Sequence, residues 1–172
     1  MQHQCRPERT KPNILESSGL TKRNNLPKRL DFLAGESIGI IGCGHLGKTI
    51  ASELVCRGFP AHRLMLSRGR SHESLQGIID AGLEGCLSDN QEICRKCSII
   101  FIAVRPQSLP DLRGLAFPKD ALVVSCMAGV SLQAIRGLLG VESMRMMPSG
   151  PDTIIEGKGI AAIYPQSQSL SR

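Results

Sequence analysis

The chain is predicted to fold as an α/β domain of doubly wound type, a mostly parallel sheet with helices on both faces. Three observations predict this. Strand-like and helical segments alternate from Glu36 onward. The strand-like runs are continuously apolar, residues 98–104 and 121–125 most clearly, as suits strands covered on both sides. Finally, the apolar run 37–41 enters Gly42-Cys43-Gly44-His45-Leu46-Gly47, after which residues 48–55 have helical character. A strand, a Gly-x-Gly-x-x-Gly turn and a helix start make a Rossmann-type dinucleotide-binding unit. Gly42 permits the tight turn, Gly44 lets a pyrophosphate approach the backbone, and Gly47 lets the helix lie close on the strand. The pyrophosphate then faces the free N–H groups and positive dipole end of that helix.

The elements follow in order. The first strand covers residues 37–41 and the first helix 45–57, closed by Gly58 and followed by Pro60. Residues 64–67 form a short second strand. A second helix over 71–80 is entered by Ser71, with Gly82 past its end. Residues 83–87 read as a brief third strand, and Ser88 or Asp89 caps a helix over 89–96. The fourth strand, 98–104, is broken by Arg105-Pro106-Gln107, and residues 107–115 form a helical turn or loop. The fifth strand is 121–125, Ala128-Gly129 turns the chain, and Ser131 caps a helix over 131–139 ended by Gly140. Residues 141–146 read as a sixth strand. After a turn at 148–151, residues 159–164 supply one more.

This divides the chain into a flexible basic segment, 1–35, a nucleotide-binding domain, 36–165, and a polar tail, 166–172. The first segment is interrupted by Pro7, Pro12 and Pro27 and is expected to dock locally through Leu30, Phe32 and Leu33. Aromatic residues make up only 3% of the chain, with no Trp and one Tyr, so the core must be aliphatic. The net charge of +6 is concentrated in residues 1–30, which carry seven basic and two acidic side chains; the rest carry 14 and 13. The excess belongs to a tail and not to a folded face, which argues against a nucleic-acid partner.

Seven cysteines, an odd number with no secretory leader before them, indicate reduced and packed thiols in an intracellular protein. Cys94-Arg95-Lys96-Cys97 lacks a second pair at zinc spacing and a strand-to-helix setting, so it reads as structural. No run is long enough to span a membrane, and the expected location is the cytoplasm. Acidic residues and prolines in the basic N-terminus argue against a mitochondrial presequence.

The ligand's second phosphate is also foreshadowed. NAD-selective units place a carboxylate at the end of the second strand. Here that position holds Ser67-Arg68-Gly69-Arg70, with no carboxylate before Glu73. A hydroxyl and a guanidinium suit a 2′-phosphate, which points to NADP, although a solvated basic turn has the same composition.

Several short patterns occur in one order: 41–46, Ser67, Asp89-Asn90, Ala103-Val104-Arg105-Pro106-Gln107, 125–131, 145–151, Glu156-Gly157 and Tyr164-Pro165. Together they resemble the N-terminal NADP-binding domain of the pyrroline-5-carboxylate reductase family, its divergent animal branch above all, over residues 37–165. The resemblance implies that Ile41, Gly42, Cys43, Gly44, His45 and Leu46 cradle the pyrophosphate, and Gly47 completes the cofactor-binding loop by the glycine spacing. It implies that Ser67, next to the Arg68 read above as a phosphate partner, meets the 2′-phosphate and that Asn90 bonds near the adenosine ribose. Ala103, Val104, Arg105 and Pro106 border the nicotinamide ribose, and Met127, Ala128 and Gly129 line the cofactor. Taken alone, Asn90 could equally be a helix cap, Arg105 a solvated strand end and Ala128-Gly129 a turn.

Two departures stand out. Arg105 replaces the family's Lys, and Ser149 replaces the Asn near nicotinamide and substrate, losing an amide donor. The family's helical C-terminal domain, which builds the dimer and supplies the substrate-carboxylate site, has no counterpart in these residues, so a homodimer is expected only with it. The implied activity is NADP(H)-dependent reduction of the C=N bond of a small cyclic imine, this chain supplying the cofactor-binding half. The alternatives are a catalytically incomplete NADP-binding sensor or partner-binding module, and a binder of acidic surfaces through the basic tail. No Ser/His/Asp triad or metal-ligand spacing is visible; His45 lies in the glycine loop, and His62 and His72 read as surface residues. No catalytic residue is assigned.

Overall fold

The computed structural model describes residues 30–69 and 72–164. The expectations for residues 1–29, for Arg70 and Ser71 and for the polar tail lie outside the described residues.

Six strands form one sheet in the order β2-β1-β3-β4-β5-β6. They are β1 (Ile38–Ile41), β2 (Leu64–Ser67), β3 (Ile99–Ile102), β4 (Leu122–Ser125), β5 (Met144–Pro148) and β6 (Ala161–Tyr164). The first five run parallel, and β6 closes the edge antiparallel to β5. Among the described residues five α-helices accompany them: α1 (His45–Cys56), α2 (His72–Asp80), α3 (Asn90–Lys96), α4 (Leu132–Leu139) and α5 (Pro151–Ile155).

Side chains alternate across each strand, so one apolar run feeds two cores. Ile38, Ile40, Leu64 and Leu66 pack under α1 and α2 with Ala51 and Ile78. Ile41, Ile100, Ile102 and Val123 pack on the other face with Ile93 of α3 and Ile135 of α4. This is the two-faced burial that the unbroken Ile/Val/Leu runs predict. The caps are equally local. Asp89 accepts from the Glu92 N–H at 2.7 Å to start α3, and Ser131 accepts from the Ala134 N–H at 3.0 Å to start α4. Gly140 ends α4 in the left-handed region.

Four expectations are corrected. Residues 83–87 are not a strand: Glu84–Cys86 forms a 3-10 turn, and only Leu87 makes a bridge, to Leu66. The reason is burial, because a tight turn with a three-residue period drops Leu83 and Cys86 together into the core. The sixth predicted strand begins three residues late, at Met144, since Glu142 is drawn to Arg136 of α4 at 2.8 Å and the ladder to β4 starts at Val124↔Met144. The segment after the turn at 148–151 contains α5, whose first residue, Pro151, has the backbone angle a helix start needs. Finally, Leu30 and Leu33 pack on the α1/α2 core as expected, but Phe32 is 77% exposed.

Burial pushes the Cys43, Cys94 and Cys97 thiols up from 9.0 to about 11, and Cys126 to about 12. Lys48 opposes the rise at Cys43. Folded values above unfolded ones mean that the folded chain retains protons the unfolded chain has lost. The stability these thiols contribute is complete below pH 9 and is lost as pH rises toward the folded values, at about 1.4 kcal/mol per thiol per pH unit. The urea midpoint is therefore expected to fall steeply between pH 9 and 11; a flat profile there would contradict the burial. At neutral pH a thiol reagent should label exposed Cys56 and spare Cys43, Cys86, Cys94, Cys97 and Cys126 until unfolding.

Candidate functional site

The carboxyl ends of the parallel strands converge on the glycine loop. Gly42 leaves β1 with φ +90, and its N–H donates to Ser67 Oγ at 3.1 Å. The Cys43 N–H donates to the Ser67 carbonyl at 2.8 Å, extending the β1–β2 ladder by one rung. A Cβ on Gly42 would lie 2.5 Å from Val104 Cγ1 and 2.8 Å from the Val104 nitrogen, so the turns after β1 and β3 are in direct contact. One on Gly47 would lie 2.9 Å from the Gly42 carbonyl oxygen. Both are the close approaches the fingerprint demands. Gly44 differs: a Cβ there would meet nothing within 4 Å. It is the N-cap of α1 with no side-chain hydrogen bond, so the first N–H groups of the helix face an open position.

A residue the sequence did not single out locks this loop. The Ser74 hydroxyl of α2 donates to the Cys43 carbonyl at 3.0 Å and accepts from the Gly69 N–H at 3.1 Å. It ties the β1–α1 turn to the β2–α2 turn. Beside it lies a cavity of about 310 Å³. Cys43, Gly44, His45 and Lys48 of the β1–α1 segment line it together with Glu73, Ser74 and Gly77 of α2 and with Arg105, which follows β3. The rim thus carries two fixed cations, Lys48 and Arg105, next to the helix N-terminus, a setting for a diphosphate.

The predicted residues divide into three groups. Cys43, Gly44, His45 and Arg105 border this cavity, while Ala128 and Gly129 border a second one. Ile41 and Met127 are buried core residues, so any approach to a ligand there is through backbone. Leu46 is half-buried on α1, Ala103 and Val104 are half-buried past β3, and Pro106 is exposed at the start of the 3-10 turn Pro106–Leu112.

Ser67 is only 6% exposed and its oxygen holds the Gly42 N–H, so its direct task is to fix the loop. Arg68 is the exposed residue at that strand end. Asp89, not Asn90, caps α3, and Asn90 Oδ1 is buried without a hydrogen-bond partner. An orphaned acceptor beside the strand ends is what a ribose hydroxyl would satisfy. The glycine turn, the uncapped helix start and this acceptor fit a dinucleotide. Ser149 borders neither cavity; its Oγ lies 2.7 Å from Thr153 Oγ1 and accepts from the Ile160 N–H at 3.1 Å, joining β5, α5 and β6.

The second cavity, about 610 Å³, lies between the β4–α4 turn and the β5–β6 edge. Arg145, Met147 and Tyr164 line it; the sequence places Arg145 and Tyr164 in strands and none of the three in a site. Among the described residues there is no cluster of potential metal ligands and no helix long and apolar enough to cross a membrane.

Fold and loops together define a nucleotide-binding oxidoreductase domain of the Rossmann class. The family model described as NADP oxidoreductase, coenzyme F420-dependent, matches residues 37–129, the span from β1 to the β4–α4 turn. The chain belongs to this family, and pyrroline-5-carboxylate reductases are among the curated proteins it is similar to. It is 32% identical over 113 residues to pyrroline-5-carboxylate reductase 2 of Dictyostelium discoideum, covering 63% of this chain and 38% of the relative. With the enzyme of Escherichia coli the figures are 29% over 138 residues, 77% of this chain and 50% of the relative. The fold matches the pyrroline-5-carboxylate reductase of Coxiella burnetii with a TM-score of 0.66 at 21% identity, over 80% of this chain and 52% of that one. It matches the Plasmodium falciparum enzyme, solved with NADP bound, with a TM-score of 0.61 at 19% identity, over 79% and 50%. The chain therefore spans half or less of the length of these two curated relatives.

Proposed function

We propose that this chain is the NADP(H)-binding half of a reductase that delivers hydride to the C=N bond of a small cyclic imine. The observation that carries the reading is the uncapped start of α1 at Gly44, open where a Cβ would stand and flanked by Lys48 and Arg105. In this reading the N–H groups at the start of α1, with Lys48 beside them, hold the pyrophosphate, and Arg68 supplies a cation for the 2′-phosphate. Asn90 Oδ1 accepts from a ribose hydroxyl. Ala103, Val104, Arg105 and Pro106 with the 127–129 turn border the nicotinamide ribose. NADPH supplies the hydride from its nicotinamide C4, while the protein's part is to hold that carbon against the electrophile.

Fluorescence titration tests the cofactor. NADPH is expected to bind at least about tenfold more tightly than NADH, and Arg68→Asp to reduce NADPH affinity by about tenfold or more while affecting NADH less. Equal affinity for the two, or an Arg68→Asp chain that holds NADPH as before, would defeat the NADP assignment; no binding of either would defeat the whole reading. Imine-dependent NADPH oxidation with pyrroline-5-carboxylate then distinguishes a reductase from a cofactor-binding module.

A further inference from the structure

One hydroxyl holds two of the turns at the strand ends. Ser74 stands in the first turn of α2, and its Oγ donates to the Cys43 carbonyl at 3.0 Å while accepting from the Gly69 N–H at 3.1 Å. Both partners are backbone groups, 31 and five residues away, so the same oxygen touches the turn after β1 and the turn after β2. Neither contact completes a ladder or a helix. The glycine turn is already held to β2, since the Gly42 N–H donates to Ser67 Oγ and the Cys43 N–H to the Ser67 carbonyl. What Ser74 adds is a tie between that turn and the residues that follow Ser67.

The Gly69 N–H belongs to the peptide unit that joins Arg68 to Gly69. Holding that planar unit fixes ψ at Arg68, and with it the direction in which the Arg68 side chain leaves the end of β2. A Cβ on Gly69 would lie 3.6 Å from Ser74 Oγ, an ordinary contact, so the turn rests directly against α2. The same helix carries Gly77, one turn past Ser74, where a Cβ would stand 3.0 Å from Lys48 Nζ. Glycine is disfavoured inside a helix, but here the missing side chain lets the Lys48 ammonium lie along α2, in the cavity that Ser74 also lines. Ser74 and Gly77, three residues apart, share one face of α2, and that face meets both the glycine turn and Lys48.

We propose that Ser74 is a positioning residue that sets the discrimination between NADPH and NADH. The inference rests on the cofactor reading above and deepens it by naming what aligns the two anion-binding parts of that site. With one hydroxyl bridging Cys43 and the Arg68–Gly69 peptide, the N–H groups at the start of α1 and the Arg68 guanidinium belong to one frame. The pyrophosphate and the 2′-phosphate of a single cofactor then meet donors that are already aligned. NADH, which lacks the 2′-phosphate, makes no use of the Arg68 part of the frame. Loss of the hydroxyl leaves the fold standing, because both of its bonds are only part-buried beside an open cavity, where water can replace them. The cost falls on alignment.

Titration of the full chain with NADPH and with NADH tests this, for the parent, Ser74→Ala, Arg68→Gln and the double variant. Ser74→Ala is expected to weaken NADPH binding by about tenfold and NADH binding by about threefold or less, so that the ratio of the two affinities falls. In the Arg68→Gln background the same change should weaken NADPH binding by no more than about threefold, because Ser74 acts through Arg68. A serine that only props up the loop would cost the same in both backgrounds. Ser74→Thr, which keeps the hydroxyl, should restore the ratio. Equal losses for the two dinucleotides overturn the proposal, as do losses at Ser74 and Arg68 that simply multiply. Should Ser74→Ala not fold, Ser74→Cys, a weaker donor and acceptor at the same place, is measured in its stead against the same outcomes. The two readings fail separately: a parent that prefers NADPH, with a Ser74→Ala chain that prefers it equally, overturns only this inference. A parent that binds neither dinucleotide overturns the cofactor reading and this inference with it.

Discussion

Gly42→Ala is expected to destabilise the domain by about 3 kcal/mol or more and to lower its melting temperature by roughly 10 °C. Two independent costs add. The residue sits at φ +90, where an L side chain is strained by about 1–2 kcal/mol. The new methyl would also lie 2.5 Å from Val104 Cγ1, 2.8 Å from the Val104 nitrogen and 2.9 Å from its Cα. A flexible side chain could yield, but two of these three atoms are backbone, and that backbone is held by the Ala103 N–H donating to the Ile41 carbonyl at 2.8 Å. Moving the β1–α1 turn instead breaks the Gly42–Ser67 hydrogen bond and misplaces the start of α1. Affinity for NADPH should therefore fall by about 100-fold even at temperatures where the variant stays folded. Calorimetry with a parallel titration checks both halves; a melting point within a degree or two of the parent would show that the contact is not as tight as described.

Most of what positions this loop could be read from short stretches of sequence. β2 falls at residues 64–67 as expected, and the α3 and α4 starts follow from Asp89 and Ser131, because an apolar run and a cap are both local signals. Elements whose boundaries depend on distant partners were less legible. Residues 83–87 have a strand-like composition, yet the space beneath β2 and α2 favours a turn that buries Leu83 and Cys86 on one side. The onset of β5 is set by pairing with Val124, twenty residues earlier, and not by its own pattern.

The candidate site divides the same way. The three glycines announce themselves by spacing. Ser74 acts on Cys43 across 31 residues, and no local pattern marks it. Ser67 was found by its position at the end of β2, but which way its hydroxyl is used depends on the Gly42 N–H beside it. Arg145 falls in a stretch, 141–146, that also holds Glu142 and Ser143, so no local pattern marks it. It acquires meaning only when Tyr164, Met147 and the 128–129 turn are seen around it.

Gly44→Asp should separate stability from function with effects of opposite sign. Gly44 is the N-cap of α1 and makes no side-chain capping bond. Asp is among the best residues for that place: its carboxylate accepts from the N–H groups of the first turn and opposes the positive end of the helix dipole. Nothing within 4 Å obstructs a Cβ, and with φ −79 the backbone imposes no strain. On folding grounds alone the position should favour Asp, and the variant should be as stable as the parent or more stable by up to about 1 kcal/mol. The same carboxylate occupies the donors assigned to the pyrophosphate and repels it, so NADPH affinity should fall by about 100-fold or more. Gly44→Ala provides the intermediate case, adding a methyl where the diphosphate would touch the backbone but bringing no charge. If Gly44→Asp raises the melting temperature and still binds NADPH as the parent does, the pyrophosphate does not lie at the start of α1. If it abolishes binding while leaving the fold intact, the uncapped helix end is explained by the ligand it serves, because a glycine that forgoes a stabilising cap makes physical sense only where something else must use those N–H groups.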